Sequence, residues 1–323
     1  MLINSLTLIA GLIALAFSAH TFVMGTASIA RNFALSPLLI GLTLVGFGTS
    51  APEILVAVFA SLGGNPAVAV GNAVGANVAN LGFILACIAL VKPLACQSRL
   101  LKWELIVLFA VTLVCYFVSF DGLGVGDSLL MLTLLLCFLI WLIRSAKKQE
   151  FDGAFEKELK TELPDTVTSK QAWLYFAGGT LGLLVSSKLS VWAALNVAHL
   201  LGVSDLIIGL TALAIGTSLP ELATAITSVL KKQDDLAMGN LISSSIYNLL
   251  AVYAVPGLIA PGEVPHEALI RDFPVLLGFT GLVFLLSAGL VSRPGMINRW
   301  AAIPLLSGYG GYLWFIYQSL TGL

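Results

Sequence analysis

The sequence predicts an all-α membrane protein of ten transmembrane helices, arranged as two inverted-topology five-helix repeats. Three observations carry this. Of 323 residues, 58% are hydrophobic and only 10% charged, with a mean hydropathy of +0.99, whereas a soluble domain holds about a quarter charged residues. The apolar residues fall into runs long enough to span a bilayer. One stretch, GLTLVGFGTSAPEILVAV at 41–58, returns as GLTALAIGTSLPELATAI at 209–226. A net charge of −1 without a basic arm or acidic tail gives no footing for nucleic acid. Cys87, Cys96, Cys115 and Cys137 lack CxxC or Cys/His spacing and read as packing residues.

Taken in order, runs of about twenty apolar residues fall near 4–25, 36–61, 67–91, 104–120 and 126–144. The first has no basic n-region and is too long for a signal-peptide core, so it reads as a span. Residues 145–171 mix both charge signs around Pro164 and suit a solvated linker. Five further runs follow near 172–193, 204–230, 235–259, 273–291 and 299–319. The chain therefore divides into a first repeat at 1–144, a cytoplasmic linker at 145–171 and a second repeat at 172–323.

Orientation follows from the sixteen Lys and Arg, because cytoplasmic loops carry the excess. With ten spans, only Lys188 and Arg271 fall on the side of the N-terminus. Arg31, Lys92, Arg99, Lys102, Arg144, Lys147, Lys148, Lys157, Lys160, Lys170, Lys231, Lys232, Arg293 and Arg299 fall on the other. Both termini are expected outside and the linker inside.

A shift of 168 residues aligns 36–81 with 204–249 without a gap, matching Gly48-Thr49-Ser50 to Gly216-Thr217-Ser218. It also pairs Pro52-Glu53 with Pro220-Glu221, Gly71-Asn72 with Gly239-Asn240, and Asn80 with Asn248. An odd number of spans per half makes the copies enter the membrane from opposite sides. In inverted repeats of this kind, substrate and ion sites lie near the midplane between the copies.

A carboxylate inside a span costs about 2.5–3.5 kcal/mol on insertion scales, so Glu53 and Glu221 at matched positions call for a function. Thr49, Ser50 and Glu53 share one helix face by their i, i+3 and i+4 spacing. Pro52 and Pro220 lack an N–H and open the helix. The carbonyls of Gly48 and Gly216 thereby lose their helical partners, and neighbouring carbonyls, for instance those of Gly46, Thr49, Ala214 and Thr217, can then face inward and line a cavity. Asn72, Asn80, Asn240 and Asn248 add amides, and the small residues Gly71, Gly75, Gly239 and Ser243 read mainly as packing positions. Carboxylate, hydroxyl, amide and carbonyl oxygens without thiolate or imidazole suit a hard cation such as Ca²⁺. Two carboxylates balance one Ca²⁺ or two monovalent ions.

The doubled G-T-S-x-P-E, GTSAPE at 48–53 and GTSLPE at 216–221, resembles the calcium:cation antiporter superfamily, in particular its bacterial sodium/calcium exchanger-like members. The resemblance implies calcium ligation by Glu53 and Glu221 with the carbonyls of Thr49 and Thr217. It also implies sodium sites formed with Ser50, Ser218 and Ser244, and amide positions at Asn80 and Asn248. Ala76 stands where the first half would carry the counterpart of Ser244, so one sodium ligand is missing. The second half reads Ser243-Ser244-Ser245 where Gly-Ser-Asn is usual.

The implied function is exchange of Ca²⁺ for Na⁺ across a bacterial inner membrane by alternating access, with the first and sixth spans sliding over a fixed core. Beyond the transported ions and membrane lipid, no cofactor, nucleic acid or obligate protein partner is expected. Coupling to H⁺ or K⁺ is the alternative within the same fold, since a carboxylate buried without metal favours its neutral form. A passive channel would use the two acids as a partial acidic ring. An intramembrane hydrolase at Ser50 or Ser218 lacks an activating base, because His20, His199 and His266 fall at or outside span ends.

Overall fold

The computed structural model describes residues 2–32, 46–95, 99–147, 167–230, 234–290 and 296–321. Helix dominates because backbone groups in hydrocarbon must be paired within their own segment. The first half runs α1 (Leu2–Asn32), α2 (Gly46–Thr49), α3 (Ala51–Leu62), α4 (Pro66–Val78), a π-helical turn (Ala79–Ile84), α5 (Leu85–Val91), β1 (Leu94–Ala95), α6 (Arg99–Val118) and α7 (Val125–Lys147). The second half begins with α8 (Ser169–Leu201), α9 (Asp205–Ile208), a π turn (Gly209–Leu213), α10 (Ala214–Thr217) and α11 (Leu219–Leu230). It continues with α12 (Asp234–Tyr247), a π turn (Asn248–Val252), α13 (Ala254–Ile259), a π turn (Ala268–Asp272), α14 (Phe273–Ala288), β2 (Met296–Ile297) and α15 (Ala302–Thr321).

Among the described residues, seven helical stretches are long and apolar enough to cross a membrane: Leu2–Thr26, Pro66–Val91, Val125–Arg144, Ser169–Leu201, Asp205–Leu230, Ala237–Ile259 and Ala268–Ala288. Ala51–Leu62 and Trp103–Val118 are shorter apolar helices. The start of the expected second span, 36–45, and most of the expected linker, 148–166, lie outside the described residues.

α8 outruns the apolar window, 172–193, that announced it. α8 starts at a capping box in which Thr168 and Gln171 bond reciprocally, and it stops at Gly202, whose φ of 65° ends the helix. α8 thus runs on past residue 193, and Lys188 lies well inside it and not in a loop.

The centre is formed by the asparagine-bearing helices. Pro66–Val91 is 78% buried and Ala237–Ile259 is 89% buried, against 28% for Leu2–Thr26 and for Val125–Arg144. Glycine lets backbones cross closely there: a Cβ on Gly75 would stand 2.6 Å from the Leu210 carbonyl oxygen, and one on Gly71 would strike the Leu206 carbonyl. At the periphery α1 and α8 pack along their length. Gly179 lies against the backbone of Phe22, and Gly11 against Ser190.

Both ends of the bundle are tied across the two halves. Leu94 pairs with Ile297 and Ala95 with Met296 in the antiparallel β1–β2 ribbon. Beyond the far end of α6, Leu123 and Gly262 exchange backbone bonds of 2.8 and 3.1 Å. Buried Arg271 forks onto Asp272 at 2.6 and 3.1 Å, and Tyr312 donates to the same carboxylate at 3.0 Å.

Candidate functional site

The two motifs adopt one local geometry. The helix breaks between α2 and α3 at Ser50, with φ −85° and ψ 2°, and between α10 and α11 at Ser218, with φ −84° and ψ 4°. Proline in the first turn after each break is where its missing N–H costs least. Glu53 and Glu221 therefore fall in the first turns of α3 and α11. Both are fully buried, as are Ser50, Thr217, Asn72, Asn80, Ser244 and Asn248, while Thr49 and Ser218 are nearly so.

Contacts run from one half of the chain to the other. Glu53 and Glu221 interact electrostatically, Glu53 lies near the Thr217 side chain, and Glu221 lies near Thr49. The Thr217 hydroxyl shares its proton between Asn72 Oδ1 and the Ala214 carbonyl, each at 3.3 Å. Ser244 Oγ donates to Glu221 Oε1 at 3.1 Å and stands 3.2 Å from Ser50 Oγ. With the Ser244 proton committed to the carboxylate, Ser50 is the donor in the second contact. Asn248 Nδ2 donates to Asn77 Oδ1 at 3.5 Å.

Among the described residues, several oxygens have no hydrogen-bond partner: both of Glu53, Glu221 Oε2, Ser218 Oγ, Asn80 Oδ1 and Asn248 Oδ1. Buried polar atoms are normally paired, and bare oxygens of this chemistry match the ligand preferences of a hard cation. Among the described residues, no three of His, Cys, Asp and Glu gather into a metal-ligating group. The rest of the oxygen set is neutral, as hydroxyl and amide positions foretell.

The structure departs from the sequence reading at particular residues. Ala214, expected to offer a free carbonyl, uses it within its own turn, accepting Ser218 N at 3.2 Å and the Thr217 hydroxyl. Gly46 opens α2. Asn80 and Asn248 sit in π turns, a local widening that frequently marks functional positions. Asn77 and the fully buried Glu104 are additional polar residues of the interior. Glu104 stands where the apolar window of the fourth span begins, and so read as a boundary residue. His20, His199 and His266 are all exposed, away from the buried serines.

The family model described as "Sodium/calcium exchanger protein" matches residues 3–144 and 171–318. The chain is 40% identical over 320 residues to the "Putative antiporter CaxA" of Alkalimonas amylolytica, covering 99% of this chain and 100% of that one. It is 36% identical to "Inner membrane protein YrbG" of Escherichia coli K12, over 98% of each. It is 28% identical to "Sodium/calcium exchanger MaX1" of Methanosarcina acetivorans, over 96% of this chain and 97% of the relative. The structure is similar to that of the sodium-calcium exchanger NCX_Mj, with a TM-score of 0.67 and 27% identity over 97% of this chain and 98% of that one. Relatives and fold are those of transporters rather than enzymes, and the chain belongs to the sodium/calcium exchanger family.

Proposed function

We propose that this chain is a secondary active antiporter that moves Ca²⁺ across the membrane in exchange for Na⁺ by alternating access. The observation that carries the reading is the meeting of Glu53 and Glu221, two buried carboxylates from matched motifs in opposite halves of the chain. Their charges balance one divalent cation or two monovalent ones, so either cargo can occupy the same place but not both together. Competition of that kind is the basis of exchange. Glu53, Glu221, Thr49 and Thr217 are assigned to Ca²⁺. Ser50, Ser218 and Ser244 are assigned to Na⁺, with Asn80 and Asn248 supplying amide oxygens. The similar NCX_Mj was studied soaked with Na⁺ together with Ca²⁺ or Sr²⁺, ions of the chemistry that these oxygens favour.

The proposal includes ten spans in two inverted repeats, at 1–144 and 172–323, joined by a cytoplasmic linker at 145–171. Both termini face outside. The α1 and α8 pair supplies the moving element, because it packs on the outside of the motif helices and, among the described residues, no hydrogen bond of the site residues involves it.

Ca²⁺ flux in proteoliposomes, with Na⁺, K⁺ and H⁺ gradients imposed one at a time, tests the reading. A Na⁺ gradient is expected to drive Ca²⁺ uphill in the opposite direction. Flux driven only by H⁺ or K⁺ would replace Na⁺ as the coupling ion. Single-channel currents without countertransport would overturn antiport itself.

A further inference from the structure

A third buried carboxylate lies outside both motifs. Glu104, on α6, is fully buried. Its Oε1 accepts the hydroxyl of Ser243 at 3.4 Å, and among the described residues its Oε2 has no hydrogen-bond partner. Tyr247, one turn beyond Ser243 on α12, lies within the field of the Glu104 charge and is itself fully buried.

The elements packed against α6 are α12, α14 and the π turn at Asn248–Val252. Among the described side chains, the titratable group they bring to Glu104 is Tyr247. Asp272, at the head of α14, is already committed to Arg271 and Tyr312. The ion pairs seen among the described residues, Lys92 with Asp234 and Arg271 with Asp272, leave Glu104 without a basic partner. An ionised carboxylate so placed carries a desolvation cost with no basic group among the described residues to offset it. A metal ion is poorly served as the neutralising charge, because hard cations collect six or more oxygens. Here one serine hydroxyl and one phenol stand by. A proton needs one oxygen, and Oε2 is bare.

Ser243 connects this acid to the central pair. Its neighbour on α12, Ser244, donates to Glu221 and touches Ser50. Successive residues on a helix point in directions about a quarter-turn apart, so adjacent serines reach two acids on different sides of one helix. A divalent cation bound at Glu221 would place positive charge one residue from the Glu104 partner, and nearby positive charge favours the ionised form of a carboxyl group.

We propose that Glu104 holds a proton on Oε2 while the Glu53–Glu221 site is empty and releases it to water when that site takes a divalent cation. The release step rests on the exchanger reading above, whereas the resting protonation does not.

The two parts are read separately on the purified full-length protein. Infrared spectra are compared between wild type and Glu104→Gln in Na⁺ and in choline buffers. The carboxylic-acid carbonyl band at neutral pH is expected in wild type, lost in the variant and unchanged by replacing Na⁺. Its absence, or a carboxylate band that moves with Na⁺ instead, overturns the proposal. Ca²⁺ is then added in weak buffer with a pH indicator. Wild type is expected to lose the band and release more protons per bound Ca²⁺ than Glu104→Gln, which still binds Ca²⁺.

Equal proton release by both proteins overturns the coupling. Failure of wild type to bind Ca²⁺ overturns both the coupling and the exchanger reading, while the band still decides whether Glu104 holds a proton at rest. If Glu104→Gln does not fold, Ser243→Ala serves in its place. Removing the hydroxyl is expected to shift the band frequency, and a band unmoved by that change overturns the assignment to Glu104.

Discussion

Glu221 receives a hydrogen bond from Ser244 on one oxygen, whereas among the described residues both oxygens of Glu53 are without one. The difference is written in the sequence, because the counterpart of Ser244 in the first half is Ala76, which has no hydroxyl to offer. Ala76→Ser is therefore expected to supply Glu53 with a donor and to strengthen Na⁺ activation of Ca²⁺ flux by about five-fold. That factor corresponds to a net hydrogen bond of about 1 kcal/mol, and a Na⁺ titration of the flux reads it. Conversely, Ser244→Ala should weaken Na⁺ dependence by a similar factor and change Ca²⁺ binding less. Comparable loss of both would argue against separate sodium ligation. Glu53→Gln and Glu221→Gln should reduce Ca²⁺ flux to background. Neither should lower the melting temperature, since a neutral amide costs less than a charge in a dry interior. Wild-type transport by either variant would remove that acid from the site.

Among elements, the α1–α8 pair and the α4–α12 centre differ in what their small residues do. Gly71 and Gly75 let α4 cross the chain at 206–210 beside the site, while Gly179 lets α8 lie on the backbone of Phe22, whose ring faces the motif only at Gly48. Enlarging Gly179 should therefore separate two properties. Gly179→Leu is expected to abolish transport, since overpacking costs typically 1–3 kcal/mol and pushes α1 from α8, yet to leave equilibrium Ca²⁺ binding close to wild type. Parallel measurements of ⁴⁵Ca²⁺ binding and flux check this, and equal loss of both would put α1 and α8 in the site.

The breaks at Ser50 and Ser218 are legible in sequence because proline acts locally, on its own turn. The π turns at Asn80 and Asn248 are not, since one extra residue per turn is a product of packing and leaves no mark on apolar periodicity. Glu104 escapes notice for another reason: a window that seeks apolar runs draws its edge at the first charge. Asn77 escapes because a face defined by Asn72 and Asn80 does not include it.

For the whole molecule, the structure sharpens the charge asymmetry on which orientation rests. Of the two basic residues on the minority side, Arg271 is held inside a buried ion pair and Lys188 lies within α8. Neither is a loop cation, so the loop charge bias points more strongly one way than the raw count suggests. Reporter fusions are expected to place residue 160 in the cytoplasm and residue 323 outside, and the opposite pattern would reverse the direction of exchange assigned to each face.

The contacts across the halves have a further consequence, for the time during which the protein is made. Ser50 meets Ser244, Asn72 meets Thr217 and Asn77 meets Asn248, so each contact waits for a residue synthesised at least 145 positions later. A nascent chain halted in the membrane after its first half has Glu53 but no partner acid and no second wall. The proposed site is therefore assembled late, only as the helices of the second half dock against the first.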